Sequence, residues 1–435
     1  MGKNDTIFAP ITLVGNSSIT VVRISGPKTF ETLKKITSIK RVEHHKIYVE
    51  YIKFEEKIYD HSVIATFLSP QSYTGEDMAE ISLHGGYAAL ETFLKLLKSL
   101  KLREAERGEF TRRAFLNGKI DLIQAESVLQ IINSKTEKSL FLSVKNEMGE
   151  FSKKIKNIRE NFLSLKSYVQ SSIDFPDDVE WSYDSFKKGF EKVKVELESL
   201  KRSISSGRIM DRGIKAVIIG RSNTGKSTLF NRMLKEERAI VSEYEGTTRD
   251  FISEWIDLNG VPVNLTDGCG IRDTKDPIEK KGIELVLKKV ESSDIVIFVF
   301  DLSKGFVEED KRILDMIKSK DPIIVGNKSD ISNDQNFEGI KISALTGENL
   351  NRLNEEIFKR INFSDETIIV STHQYNVIEK MFDQMQRIEN LNSKKEPEII
   401  DYHLKNIIDG CDILLGKITD ENILNEIFSN FCIGK

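Results

Sequence analysis

Between Gly220 and Ala344 the chain carries five short motifs in order: GRSNTGKST, EGTTRD, TDGCG, NKSD and SAL. Their residue types suit the holding of a magnesium-bound nucleoside triphosphate and the choice of guanine as its base. Gly220 and Gly225 let the backbone curl until its N–H groups converge on the β-phosphate, at the positive end of the helix that follows. Asn223, Thr224 and Thr228 complete that loop, Lys226 brings a point charge to the β- and γ-phosphate oxygens, and Ser227 offers a hydroxyl to magnesium. Thr248, in EGTTRD, stands where a first switch brings a second hydroxyl to the ion when the γ-phosphate is present. Asp267, Gly268, Cys269 and Gly270 form the second switch element. Asp330 can accept two hydrogen bonds from the N1–H and amine edge of guanine, an edge that adenine lacks. A buried polar site left unpaired gives a preference on the order of 10⁴-fold, so this carboxylate sets GTP against ATP. Asn327 is expected to tie its loop to the phosphate loop and Lys328 to lay its stem along the base, while Ser343, Ala344 and Leu345 supply a backbone N–H for the guanine O6.

Two residues stay open at this level. Asn223 is readable as a potassium ligand beside the phosphates, in the place an arginine finger would fill, or as a loop hydrogen-bonder. After Gly270 comes Ile271, which cannot position water as a Ras-like glutamine does, so hydrolysis must draw on Arg272, Asp273, Asp276 or Glu279. By position alone Glu279 also reads as a solvated carboxylate on a switch.

These motifs need a scaffold. Ile214 to Ile219, Ile295 to Phe300 and Pro322 to Gly326 read as apolar strands, Gly339 to Ile342 as a further strand, and TLFNRML as the helix after the phosphate loop, which predicts a doubly wound P-loop domain over about 213–362. Residues 1–118 alternate β-type runs (SSITVVRISG, KIYVEYIKFE, HSVIATFL, MAEISLHGG) with one helix from Tyr87 to Leu100, an α+β pattern. Residues 119–212 and 363–435 are amphipathic with few breakers, hence helical, and the simplest arrangement is one discontinuous helical domain with the P-loop domain inserted. RGEFTRRAFLNGKIDLIQAE reads as a solvated basic face, and the closing Phe431 to Lys435 as a frayed end.

The chain's 435 residues, net charge of −4 and 30% charged residues describe an ordinary globular composition with no basic excess for nucleic acid. No apolar run approaches a membrane span, and Cys269, Cys411 and Cys432 form no CxxC pair, so a reducing, cytoplasmic setting is expected. His44, His45, His61 and His84 lack a metal spacing, so no zinc is expected there.

From DTIFAP and RISGP, through SYTGED, GEFTRRAFLNGKIDLIQAE, GRSNTGKST and GTTRD, to the closing CIGK, the chain resembles end to end the MnmE (TrmE) family of tRNA modification GTPases. The resemblance implies an N-terminal dimerisation and tetrahydrofolate-binding domain, a discontinuous helical domain and an inserted Ras-like GTPase domain. It implies a homodimer that works with an FAD-containing MnmG (GidA) partner, in a heterotetramer, to place an aminomethyl-type group on carbon 5 of the wobble uridine of certain tRNAs, using a folate one-carbon unit. Residue by residue it places folate at Arg23, Glu80, Lys119 and Lys435. Potassium falls to Asn223, Ser242, Tyr244 and Thr247, with Glu243, Glu245 and Gly246 in the same nucleotide-binding loop, and magnesium to Ser227 and Thr248. Glu279 falls at the family's water-orienting glutamate, and Cys432 at its tail cysteine. Two departures stand out: GNSS at Gly15 to Ser18, where the family often has GRGG, and DGCG for DTAG, which is expected to loosen the loop at Gly268. The competing reading is an Era-like RNA-assembly GTPase with no chemistry on a substrate.

Overall fold

A computed structural model describes residues 5–236, 252–268, 277–332, 337–361, 367–391 and 396–435, apart from the side chains of 277–283. The chain divides into two compact units. One comprises residues up to 129 together with 147–160 and 408–435, and the other 130–146 and 161–407.

The first unit is built on a six-stranded sheet of β1 (Ile7–Pro10), β2 (Ile19–Ser25), β3 (Lys46–Phe54), β4 (Lys57–Phe67), β5 (Met78–His84) and β6 (Arg103–Glu104), in the order β3-β4-β5-β2-β1-β6. All pairs are antiparallel except β1 with β6. One face of this sheet packs on the helix Tyr87–Ser99 through Leu90, Phe93, Leu96 and Leu97, which meet Val22, Ile24, Ile64 and Ile81. The i, i+3, i+6, i+7 spacing puts all four side chains on one helical stripe.

Two further helices depart from the sequence expectation of a single one before residue 118: Thr29–Ile36 and Glu109–Leu116. The second also overturns the solvated-face reading of its arginines. Arg113 pairs with Glu109, Glu76 and Asp5, Arg103 bridges Glu109 and Asp5, and Arg112 bonds Glu421 and, at 3.0 Å, Asn425. Burial pushes the Glu109 carboxyl up, but Arg103, the Glu106 amide and Arg113 together hold it below its usual range.

The closing segment is likewise docked rather than frayed. The helix Glu421–Ser429 lays Leu424, Ile427 and Phe428, with Phe431 beyond it, against Leu122, Ala125 and Phe115. Ile433 then bridges to Arg107 as an antiparallel partner, and the Phe110 amide donates to the Lys435 carbonyl at 3.2 Å.

The second unit holds the nucleotide-type sheet: β7 (Ile214–Ile219), β8 (Ser253–Leu258), β9 (Val261–Asp267), β10 (Ile295–Asp301), β11 (Ile323–Asn327) and β12 (Ile340–Lys341), ordered β12-β11-β10-β7-β9-β8. Its pairs are parallel except β8 with β9. Period-two alternation splits the central strands between two cores. Ala216, Ile218, Ile295, Ile297 and Val299 face one of them with Leu229 and Phe230, and Val217, Ile219, Val296, Phe298 and Phe300 face the other with Val286 and Ile313. The 30-residue helix Tyr183–Arg212 buries Phe186, Phe190, Val193, Leu197, Leu200 and Ile204 along a single stripe, and Met210 at its end joins the first of those cores.

Candidate functional site

The phosphate loop leaves β7 at Gly220 and enters the helix Lys226–Glu236 at Lys226, the strand, turn and helix that its motif requires. Inside it Asn223 holds φ 65°, a left-handed conformation that asparagine tolerates better than most residues. Its side chain is exposed, and its carbonyl accepts from Lys328 Nζ at 3.1 Å. Lys226 is buried and donates to the Arg221 carbonyl at 2.8 Å, as does the Thr224 hydroxyl at 3.0 Å. Arg221 is held in turn by Asp310 at 2.7 Å.

β11 delivers Asn327 to this loop. Asn327 Nδ2 donates to the Thr224 carbonyl at 2.8 Å, and its Oδ1 accepts the Ala344 amide at 2.9 Å. One buried amide side chain thus fastens the phosphate loop, NKSD and SAL together. Lys328, at φ 70°, sends its ammonium to Asp301 Oδ2 at 2.6 Å as well as to the Asn223 carbonyl. Asp301 closes β10, is 1% exposed, and has no motif that marks it in the sequence. Burial pushes its carboxyl up, but the Lys328 ammonium and the Ser303 hydroxyl outweigh burial and hold it below the usual carboxylate range. Asp330 lies exposed in the short turn Ser329–Ile331, Ser343 is buried, and Leu345 is exposed. Ser227, Thr228, Ala344 and Leu345 line a cavity of about 310 Å³ with Asn231, Arg232 and Lys235.

At the end of β9, Asp267 Oδ1 is shut from water with no hydrogen-bond partner among the described residues. An orphaned carboxylate oxygen beside a phosphate loop suits a hydrated magnesium ion, so the donor set of Ser227 and Asp267 fits that metal. Gly268 is not the loosening that DGCG suggests. Its amide donates to the Ile218 carbonyl at 2.9 Å, and an added Cβ would stand 2.4 Å from that oxygen, so here the glycine permits close backbone approach. Ser242, Glu243, Tyr244, Glu245, Gly246, Thr247, Thr248, Cys269 and Gly270 lie outside the described residues, and Glu279 is described only as backbone of the helix Pro277–Glu291.

The first unit carries a second polar constellation, on β2, β5 and the tail. Arg23 donates through Nε and Nη2 to Glu80 Oε1 at 2.9 and 2.8 Å, a pairing set by the β2–β5 register. Its guanidinium lies 5.0 Å from the centre of the Tyr73 ring and 5.4 Å from that of Phe110. Arg23 Nη1 is buried and has no partner among the described residues. Burial, and then the Arg23 charge, hold the Lys435 ammonium below its usual range, with Glu80 and Cys432 opposing. A cation suppressed by a second cation, next to an unused guanidinium N–H, is chemistry suited to an anionic or carbonyl-bearing ligand. Tyr73 fixes its ring through a 2.8 Å bond between its hydroxyl and that of Thr111. Lys119 donates to the Pro70 carbonyl at 3.0 Å, on the loop that leads to Tyr73. Cys432 is exposed, whereas burial pushes the Cys411 thiol up to about 12 and leaves it unreactive.

Comparison with known proteins decides between the families this geometry allows. The model of the MnmE helical domain matches residues 122–432, and that of the GTP-binding protein TrmE N-terminus matches 6–119. The tRNA modification GTPases MnmE of Thermosipho melanesiensis and Aquifex aeolicus are each 40% identical to the chain, covering 99% of it and 100% of their own length. The chain belongs to the MnmE family. It is a GTP hydrolase, of multidomain α/β and helical architecture, and the relatives it matches carry the name tRNA modification GTPase. Among solved structures it resembles Era of Aquifex aeolicus bound to GDP.AlF4- at 23% identity, over 42% of this chain and 70% of that one, with a TM-score of 0.29. Among the described residues of this MnmE-family chain, no helix is long and apolar enough to cross a membrane.

Proposed function

We propose that the chain is a potassium-dependent cytoplasmic GTPase. As a homodimer, in a heterotetramer with an FAD-containing MnmG (GidA) partner, it modifies carbon 5 of the wobble uridine of certain tRNAs to a carboxymethylaminomethyl or aminomethyl-type group. The observation that carries this reading beyond nucleotide binding is the Arg23, Glu80, Tyr73 and Lys435 constellation with its unpartnered guanidinium N–H, a site that a GTPase has no need of for hydrolysis.

On the proposal, Glu80 Oε2 accepts from the amine and ring N–H of a pterin, Arg23 and Lys435 face its polar edge, and Tyr73 stands beside the ring, while Lys119 meets the glutamate carboxylates. A bound tetrahydrofolate, as its 5-formyl or 5,10-methylene derivative, supplies the one-carbon unit. In the nucleotide site Lys226 and the loop amides hold the phosphates, Asp330 reads the guanine edge, and Ser227 with Thr248, and Asp267 through the ion's water shell, would hold magnesium, which neutralises phosphate charge. Asn223, Ser242, Tyr244 and Thr247 would hold potassium, and Glu279 orients the attacking water, so that hydrolysis drives a cycle of pairing between two GTPase domains. The domain boundaries that go with this reading are 1–118, 119–212, 213–362 and 363–435.

The test is nucleoside mass spectrometry of tRNA from cells lacking the protein, complemented with wild type, Glu279→Ala, Cys432→Ser or Arg23→Ala. Loss of an aminomethyl-type carbon-5 uridine that only wild type restores is the expected outcome. Unchanged nucleosides would place the protein with assembly GTPases instead.

A further inference from the structure

The cavity beside the phosphate loop has one wall that nucleotide binding does not explain, formed by Asn231, Arg232 and Lys235 on the outer turns of the helix Lys226–Glu236. Arg232 reaches across to the SAL loop, where its Nη2 donates to the Leu345 carbonyl at 3.0 Å. Its Nε lies 3.3 Å from Glu236 Oε1, one turn on, an ion pair without a hydrogen bond at that nitrogen. Gly347 closes the same loop at φ 89°, with its backbone so near that an added Cβ would stand 2.5 Å from Glu236 Oε1 and 3.1 Å from Arg232 Nη2. The loop is therefore gripped at both ends. Asn327 holds the Ala344 amide, and the Arg232–Glu236 pair holds Leu345 and backs Gly347.

We infer that Arg232 is a positioning residue for base recognition, fixing through the Leu345 carbonyl the loop whose amides face the guanine O6. The inference rests on the reading of Ser343, Ala344 and Leu345 as the O6 loop. Bonds within the loop, from the Gly347 amide to the Ser343 carbonyl at 2.8 Å and from the Thr346 amide to Ser343 Oγ at 3.2 Å, shape the turn, but Arg232 ties it to the neighbouring helix, and Leu345, exposed to solvent, has no other anchor at its carbonyl among the described residues. A loosely held donor forms its bond to the base only by ordering the loop as it binds, which weakens that bond and no other.

The experiment measures dissociation constants of the full-length protein for three ligands: GDP, 6-thioguanosine diphosphate, whose sulfur is a poor acceptor at position 6, and inosine diphosphate, which lacks the 2-amine. Wild type is expected to prefer GDP over either analogue by about tenfold, the worth of one well-made hydrogen bond. Arg232→Met, which keeps the aliphatic stem, is expected to narrow the position-6 gap to about twofold and leave the inosine gap intact, since Asp330 reads that edge. Arg232→Lys, which retains a donor, should restore the gap to within about threefold of wild type. An unchanged position-6 gap in Arg232→Met overturns the inference, as does an equal shrinkage of both gaps, the mark of general loosening. A wild type with no position-6 gap removes the O6 assignment of the loop itself.

Discussion

Asp301 shows how a residue without a motif can set the frame for residues that have one. Its carboxylate takes the Lys328 ammonium at 2.6 Å and both the amide and hydroxyl of Ser303, so it fixes the start of NKSD against the phosphate loop. Because the folded state holds this carboxyl below its ordinary range, the stability it contributes is present above an unfolded pKa near 3.8 and is lost as pH falls through the lower folded value. Asp301→Asn should therefore cost about 2–3 kcal/mol at neutral pH in urea unfolding, with wild type and variant converging as pH falls through the lowered folded value. A gap that persists at low pH would mean that shape rather than charge matters at this position. Asp330→Asn should lower GTP affinity by about 100-fold and confer binding of xanthosine triphosphate, whose C2 carbonyl accepts the new amide, read by nucleotide competition. The motif residues were legible because phosphate and guanine chemistry forces their spacing. Asp301 was not, since its partner lies 27 residues away across two strands.

At the level of elements, the strands of the GTPase sheet were readable because central parallel strands, covered on both faces, appear as unbroken apolar runs such as IVIFVFD. The eight-residue helices Thr29–Ile36 and Glu109–Leu116 were not. Two turns give too few repeats for periodicity to register, and the charges in EFTRRAFL read as solvated although Glu109 and Arg112 are buried. Position-specific pairing, with Arg113 and Arg103 converging on Glu109, is what lets that helix sit inside. Helical texture was expected over 119–212 with Gly189 as a breaker, whereas the helix Tyr183–Arg212 runs unbroken through it, and its apolar stripe recurs at intervals of three and four. Leu197, fully buried at the middle of that stripe, should cost about 3 kcal/mol on conversion to Ala by denaturant melting. A loss under about 1 kcal/mol would show that the stripe repacks.

Taken as a whole molecule, the chain assembles one of its compact units from segments at its beginning and its end. Phe431, 1% exposed, packs with Phe428 against Leu122 and Ala125, just before the tail that carries Lys435 toward Arg23. Phe431→Ala should destabilise this unit by about 3–4 kcal/mol, seen as an earlier transition in calorimetry and faster trypsin cleavage near Arg107, while GTP affinity stays within twofold of wild type. A parallel loss of GTP affinity would mean that nucleotide binding depends on the packing of Phe431. The docking of residues 408–435 on residues before 130 also has a consequence in time. At ribosomal rates of about 5–20 residues per second, a sheet domain whose strands are finished early waits roughly 15–60 s for the helix that covers Phe115 and Leu122. Throughout that interval an apolar surface built to be buried stands open on the nascent chain, and the site around Arg23 does not yet have its lysine.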